Sequence, residues 1–298
     1  MKEGEYKITV CLLTYNHRHF IGEAIESVLQ QKANFNWNIL IADDCSTDGT
    51  REILHEYAQK YPDRIQLILQ EKNVGMQANF RDLFLTPESK YIAFLDGDDI
   101  WIDNTRLQKQ YDFLEKNPDH TMVYGKSTLM NAQGVAVPYN KRPDFKSGYI
   151  FKDVLTCKYL PPMTTALMRT DVIKKMYPTR SEPGFDFYVI INMCKNGKVV
   201  FFDEVFYCYR INATSITSTQ LPFIRNLHLG VISSFEEEYP ELVRKGIKNG
   251  NLQLIYHYAE KDPGFKNFFL LLKHFQFSSL YARQVVKCLL NMAKIPFK

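Results

Sequence analysis

The sequence predicts an α/β fold, with a mostly parallel sheet flanked by helices and a helical C-terminal extension. Three observations carry this expectation. Short apolar runs rich in β-branched residues alternate with segments of helical period through the first hundred residues. Three of those runs end in polar clusters, as strands of an open parallel sheet do where ligands bind. From Pro222 onward the pattern is helical, with no strand signal.

Ile8 to Leu13 is an apolar run fit for a strand buried on both faces. Phe20, Ile21, Ala24, Ile25, Val28 and Leu29 then repeat with helical period. Trp37 to Ala42 reads as a second buried strand, and Asp48-Gly49-Thr50 opens a helix carrying Ile53, Leu54 and Tyr57. Ile65 to Leu69 is a third strand. A helical stretch around Ala78 to Phe84 leads to a fourth, Tyr91 to Leu95. Asp103 is placed to cap a helix with Leu107, Tyr111 and Leu114, which Pro118 stops. Thr121 to Val137 reads as a hairpin or two short strands around Asn131-Ala132-Gln133-Gly134. Lys141 to Gly148 is a polar connection. Thr164 to Met168 is a further strand and Asp186 to Cys194 a helix; Val199 to Phe202 and Val205 to Tyr209 are extended. A boundary falls near residue 218, giving a domain over 1–218, in halves 1–125 and 126–218, and an extension over 219–298.

The 298 residues are 45% apolar and 14% aromatic, which supports a sizeable core and argues against disorder. The net charge of +4 gives no argument for a nucleic-acid partner, and none is expected. Six cysteines, none at C-x-x-C spacing and several inside apolar runs, read as reduced and buried in a cytoplasmic protein. The opening residues, with Glu3 and Glu5, do not read as a secretory signal, and no stretch approaches the ~20 apolar residues of a membrane span.

The chemistry concentrates in the polar clusters. Asp96-Gly97-Asp98-Asp99 places three carboxylates within four residues. They repel one another, and a hard divalent cation would relieve this. The bland alternative is a solvated turn with helix-capping acids. Asp43-Asp44 ends another apolar strand. One of the pair suits shaping the turn, and the other suits accepting from a nucleobase N–H or a ribose hydroxyl.

Taken in order, these segments resemble glycosyltransferase family 2, inverting nucleotide-sugar enzymes with a GT-A (Rossmann-like) fold. Cys11 to Asn16 resembles its opening strand and donor-binding turn, and Ile21 to Gln31 its first helix. Ile41 to Asp48 resembles its paired-Asp nucleoside motif, with Cys45 where Gly is commoner. Asn73-Val74-Gly75 and Asn79 resemble the segment near the diphosphate, and Tyr91 to Trp101 the Asp-x-Asp metal motif. The likeness is specific over residues 5 to 125 and weaker to about 217. Phe201 to Arg210 resembles the closing strands, and the last eighty residues match nothing recognised.

The resemblance implies nucleoside contacts from Thr14, Tyr15 and Asn16, a base contact from Asp44 and support from Asp43. It implies Asp96, Gly97 and Asp98 at the ribose and metal, with Asp98 or Asp99 ligating Mn²⁺ or Mg²⁺ directly. The general base falls on Asp186 in Gly184-Phe185-Asp186-Phe187-Tyr188, with Phe185 where an acid is usual; Glu182 and Asp203 are reserves. A helix cap is the competing role for Asp186. The implied reaction moves a sugar, with inversion, from a nucleotide-sugar donor, a UDP-sugar first, to a hydroxyl of a glycan or lipid-linked glycan in surface-polysaccharide assembly. The alternatives are a nucleotidyltransferase, for which Thr14 to His19 lacks a Gly-rich phosphate loop, and a non-catalytic nucleotide- or sugar-binding module.

Around these residues, Tyr159 to Met168 is either a lining of the acceptor cleft or a simple loop-to-strand joint, and Trp101 is placed in the core. His17 and His19 are expected as exposed loop residues, and Arg210 near phosphate. The stretch from Phe265 to Lys298 holds six Lys or Arg and no acid among many apolar residues. It suits peripheral contact with the inner face of a membrane, or equally packing on the catalytic domain with its lysines turned to water.

Overall fold

The computed structural model describes residues 6–137, 145–176, 184–211 and 221–261. The tail from Phe265, Glu182 and the first part of the Lys141–Gly148 connection lie outside the described residues.

A parallel core comes first: β1 (Ile8–Thr14), β2 (Trp37–Asp43), β3 (Ile65–Leu69) and β4 (Tyr91–Asp96) lie in the order β3-β2-β1-β4. Every residue of β2 is buried, and β1 is buried at all but one position. Covering both faces demands a continuous apolar run rather than alternation. The cover comes from α1 (Ile21–Leu29), α2 (Thr50–Lys60) and α3 (Met76–Leu85). Ile21, Ala24, Ile25 and Val28 of α1 are fully buried and join Val10, Leu12, Ile39 and Ile41 in one core cluster. Register brings the strand tips level, with Thr14 beside Asp43 and Leu13 beside Asp96.

Beyond β4 the sheet mixes directions. β8 (Leu167–Arg169) runs antiparallel to β4, then β6 (His120–Asn131) and β9 (Lys198–Ile211) run parallel to each other, and β5 (Ile100–Trp101) closes the edge against β9. β7 (Ala136–Val137) folds back on β6 as the expected hairpin, with Asn131 Oδ1 accepting the Gln133 and Val135 N–H groups. The two extended segments expected over 199–209 are one strand. Its pairing with β6 slips between Tyr124 and Lys126, at the Asp203–Glu204 break in the apolar pattern.

Three helices, α4 (Arg106–Lys116), α6 (Thr170–Met176) and α7 (Phe185–Asn196), complete this part; α5 (Phe151–Leu155) precedes a 3-10 turn at Met163–Thr165. The α4 cap differs from expectation. Thr105 occupies the cap position, and Asp103 accepts the Thr105 N–H at 2.7 Å, shaping the turn before the helix. At the end lie α8 (Leu221–Ser233) and α9 (Pro240–Lys261).

The chain divides into two compact units, Met1–Phe151 with Leu160–Thr219, and Lys152–Tyr159 with Gln220–Lys298. Within the second, Asn249 and Gln253 of α9 donate to the Thr156 and Cys157 carbonyls, each at 2.8 Å.

Candidate active site

The loops after β1 and β2 are stapled together. Asn16, at φ 56°, accepts the Thr47 N–H on its side chain at 2.9 Å, and its own N–H donates to Ser46 Oγ at 2.8 Å. Cys45 sits at φ 62°, a left-handed conformation that explains why glycine is commoner there. Tyr15 is exposed at the rim, whereas Thr14 is buried, with its hydroxyl 3.3 Å from His17 Nδ1.

Asp43 and Asp44 are both buried and do different work. Asp43 takes the Ser46 N–H at 3.0 Å, the Ser46 hydroxyl, and Arg51 Nε at 2.5 Å, so it shapes the turn. Asp44 accepts the Val74 and Gly75 N–H groups at 2.7 and 3.0 Å, and Asn73 Nδ2 donates to its carbonyl at 3.3 Å. The Asn73-Val74-Gly75 loop is therefore hung on Asp44. Burial pushes the Asp44 carboxyl up, against the two N–H groups that hold it down. Gly75, at φ 86°, has open space where a side chain would stand. Asn79 is placed differently from expectation. It is 1% exposed, its amide donates to the Ala42 carbonyl at 3.1 Å, and Gln70 donates to its oxygen at 3.3 Å, which makes it a strut between α3 and β2.

The Asp96–Asp99 turn closes over the β1 tip. The Gly97 N–H donates to the Leu13 carbonyl at 2.8 Å, and a Cβ at Gly97 would stand 2.8–3.0 Å from His17 Nδ1, Thr14 Oγ1 and that carbonyl. Only glycine lets the turn come this close. His17, expected in solvent, is partly buried beside Asp98. Burial lowers its pKa, while Asp98, Asp48 and Asp43 pull it upward. The signal that could have placed it is the spacing Thr14-x-x-His17, which returns the ring over the strand end.

The three acids diverge. Asp96 and Asp98 are partly exposed. Desolvation raises the Asp96 pKa well above the usual carboxylate range, and Asp99, Asp98 and Asp186 add repulsion in that order. Asp99 is fully buried, accepts the Tyr207 hydroxyl and takes the Arg210 N–H at 2.6 Å. Burial and Asp98 lift it to about 7, against those two hydrogen bonds and the Arg210 charge. Fully buried and turned to β9, it departs from the expectation of a direct metal ligand. Arg210 is likewise turned inward. It is 3% exposed, with Nε on the Asp98 carbonyl at 2.8 Å, a terminal nitrogen on Glu23 at 2.6 Å and the guanidinium 4.7 Å from the Phe20 ring. It braces the turn instead of facing open space. Trp101, 4% exposed and stacked 3.9 Å from the buried Arg106 guanidinium, is core, as expected.

Asp186 stands in the first turn of α7. Burial raises its pKa, opposed by its own and the Phe187 N–H. Its charge adds to the repulsion that raises Asp96. Phe185, standing where an acid is usual, packs 5.5 Å from Phe80 and 6.3 Å from Phe84, ring centre to ring centre, and anchors α7 on α3. Asp203 is exposed and pairs with Lys126.

Among the described residues no three His, Cys, Asp or Glu side chains gather as a metal cage. Asp96 and Asp98 are nevertheless hard oxygen donors under mutual repulsion. That set suits one Mg²⁺ or Mn²⁺ bound by few protein ligands, with positions left for phosphate oxygens.

The glycosyl transferase family 2 model matches residues 9–176, more than half the chain. The chain belongs to glycosyl transferase family 2. Asp186 lies beyond that match. Among relatives, the uncharacterised protein Rv1520 of Mycobacterium tuberculosis is 28% identical over 213 residues, 70% of this chain and 60% of its own length. The chain thus spans less than two thirds of that relative. UDP-Glc:alpha-D-GlcNAc-diphosphoundecaprenol beta-1,3-glucosyltransferase WfgD of Escherichia coli is 27% identical over 72% of this chain and 81% of WfgD. S. aureus TarS 1-349 in complex with UDP-GlcNAc superposes with a TM-score of 0.61 at 16% identity, over 95% of this chain and 79% of TarS. Mannosyltransferase PcManGT from Pyrobaculum calidifontis, in complex with GDP-Man and Mn2+, gives 0.58 at 14% identity, over 97% and 86%. This family 2 member has the GT-A fold.

Proposed function

We propose that this chain is a metal-dependent, inverting hexosyltransferase that moves a sugar from a UDP-sugar to a hydroxyl of a glycan or lipid-linked glycan in surface-polysaccharide assembly. Residues 1–218 form the catalytic domain and 219–298 an extension. One observation carries the reading: the α7 first turn, which holds the half-buried Asp186, is tied by the Gly184 and Phe185 N–H groups to Gln77 beside the Asn73–Gly75 loop, and the Asp186 charge bears on Asp96 of the acidic turn.

In this reading Tyr15 and Asn16 border the nucleoside, and Asp43 holds the turn. Asp44 fixes the Asn73–Gly75 loop that borders the diphosphate while offering its remaining lone pairs to the base. Gly97 brings the acidic turn against Thr14 and His17. Asp98 is the metal ligand and Asp96 flanks ribose and metal, with Asp99 and Arg210 bracing both from behind. A bound Mn²⁺ or Mg²⁺ supplies Lewis-acid stabilisation of the leaving diphosphate. Asp186 takes the acceptor hydroxyl proton as the oxygen attacks the anomeric carbon from the face opposite the nucleotide, and direct displacement inverts that centre. The UDP-GlcNAc held by TarS, the Mn2+ in PcManGT and the lipid-linked acceptor in the WfgD name support these choices. No helix among the described residues is long and apolar enough to cross a membrane. Work at the inner membrane face would fall to peripheral contact by the basic tail.

The test is a thermal-shift screen of nucleoside diphosphates and their sugars with and without Mn²⁺, paired with Asp186→Asn. UDP at a hundredfold excess over Kd should stabilise by about 2.7 kcal/mol, and only with metal. Asp186→Asn should keep that shift and lose transfer by roughly 100- to 10,000-fold. Indifference to every nucleotide would sink the donor assignment; wild-type transfer in the variant would sink the base and leave a binding module or another base.

A further inference from the structure

The first turn of α7 carries Asp186, and its amides need a partner. A helix start leaves several N–H groups without intrahelical acceptors. Here the cap residue is Gly184, at φ 88°, with no side chain to answer them. The acceptor comes from another helix. Gln77, in the first turn of α3, takes the Gly184 N–H at 3.1 Å and the Phe185 N–H at 3.0 Å on one side-chain oxygen, Oε1. An amide oxygen has two lone pairs, so both bonds are made at once. Both partners are donors, which fixes the orientation of the Gln77 amide.

Gln77 stands two residues after Gly75, whose N–H is held with that of Val74 by the Asp44 carboxylate. A short path of hydrogen bonds and one helical turn thus leads from the donor-side acid to the residue beside Asp186. The Phe185 ring rests among Phe80 and Phe84 and holds α7 down on α3, while the body of the helix packs on α6, β6 and β9. At the helix start the paired bonds to Gln77 set the first turn against α3.

We propose that Gln77 is a positioning residue for Asp186, holding the α7 first turn in register with the donor loop through its bonds to the Gly184 and Phe185 N–H groups. The proposal rests on the reading of Asp186 as the base. Gln77 touches no reacting atom. Its effect falls on the angle and reach of the carboxylate, where a displacement of an ångström lowers the rate without weakening binding.

The experiment compares Gln77→Met, Gln77→Glu and Asp186→Asn in the full chain. UDP release from UDP-glucose and UDP-GlcNAc gives kcat and KM, UDP with Mn²⁺ is the binding probe, and amide hydrogen exchange follows residues 184 and 185. Methionine keeps the length and removes the acceptor. Glutamate keeps oxygen acceptors at the same reach, at a helix start that favours negative charge. Q77M should lower kcat roughly 10- to 100-fold with donor KM and UDP affinity unchanged. It should also speed exchange of the Gly184 and Phe185 amides. Q77E should recover most of both losses. If Q77M does not fold, Gln77→Asn, one methylene too short, replaces it. Wild-type kcat and exchange in Q77M, with D186N inactive, would overturn the positioning role and leave the base intact. A rise in donor KM in place of the fall in kcat, or no recovery in Q77E, would assign Gln77 to the donor loop or to general packing and overturn it as well. Undiminished transfer by D186N would remove the base and the proposal together.

Discussion

At Asp99 the carboxylate sits between the Tyr207 hydroxyl and the Arg210 N–H, out of water, with its carboxyl held at about 7. In the unfolded chain it would titrate near ~4. Below that value both states are protonated and the pH has no effect through this group. From there up to about 7 the unfolded state has lost its proton and the folded state has not, so stability falls as pH rises through the window. Asp99→Asn removes the titration while keeping an oxygen for Arg210. In metal-free protein the variant should therefore gain on the wild type between pH 5 and pH 7.5, on the order of 1–4 kcal/mol, by urea denaturation at each pH. An unchanged difference across that range would show that Asp99 does not set the slope. The sequence announced three acids in this turn but not their division of labour. Local spacing treats Asp98 and Asp99 alike, and only the return of β9, more than a hundred residues later, separates them. His17 and Asn79 differ from expectation for the same reason. Burial by a distant segment decides whether a polar loop residue faces solvent, a site or a core.

Among the elements, the strands β1 and β2 are legible in the sequence because both of their faces are covered and the apolar pattern is continuous. The two-residue strand β5 and the helix α6 carry no such pattern, and the strand expected over Thr164 to Met168 begins with a 3-10 turn and is extended only from Leu167, as β8. β5 exists because β9 pairs with it, at Ile100–Cys208 and Trp101–Tyr207. The close approach of the acidic turn to the β1 tip belongs to this scale too. Gly97→Ala would press a methyl group against the Leu13 carbonyl, which is backbone and cannot swing aside. The expected result is a loss of about 1–3 kcal/mol in chemical denaturation, with a larger loss of metal-dependent UDP binding, because the turn must lift off Thr14 and His17. A variant with wild-type stability and binding would show that the turn has slack.

Across the whole molecule, composition and strand order announced the α/β class, and the ordered motifs announced the family that the 9–176 match establishes. They did not show that residues 152–159 group with the C-terminal unit. Nothing local marks that, since the tie is a set of carbonyls receiving side-chain donors from α9. Ending the chain at residue 219 strips Thr156 and Cys157 of those donors, and each unanswered carbonyl costs ~1–3 kcal/mol where water is excluded. The shortened chain should melt lower than the full one in calorimetry; equal melting temperatures would make residues 220–298 dispensable for the rest. β9 has a related consequence for anyone recombining these enzymes. Tyr207 and Arg210 complete the back of the acidic turn from the far end of the domain. A hybrid that borrows a relative's first 125 residues to change donor preference would inherit an Asp99 whose companions stayed behind, and the transplant would take only if the matching edge strand travelled with it.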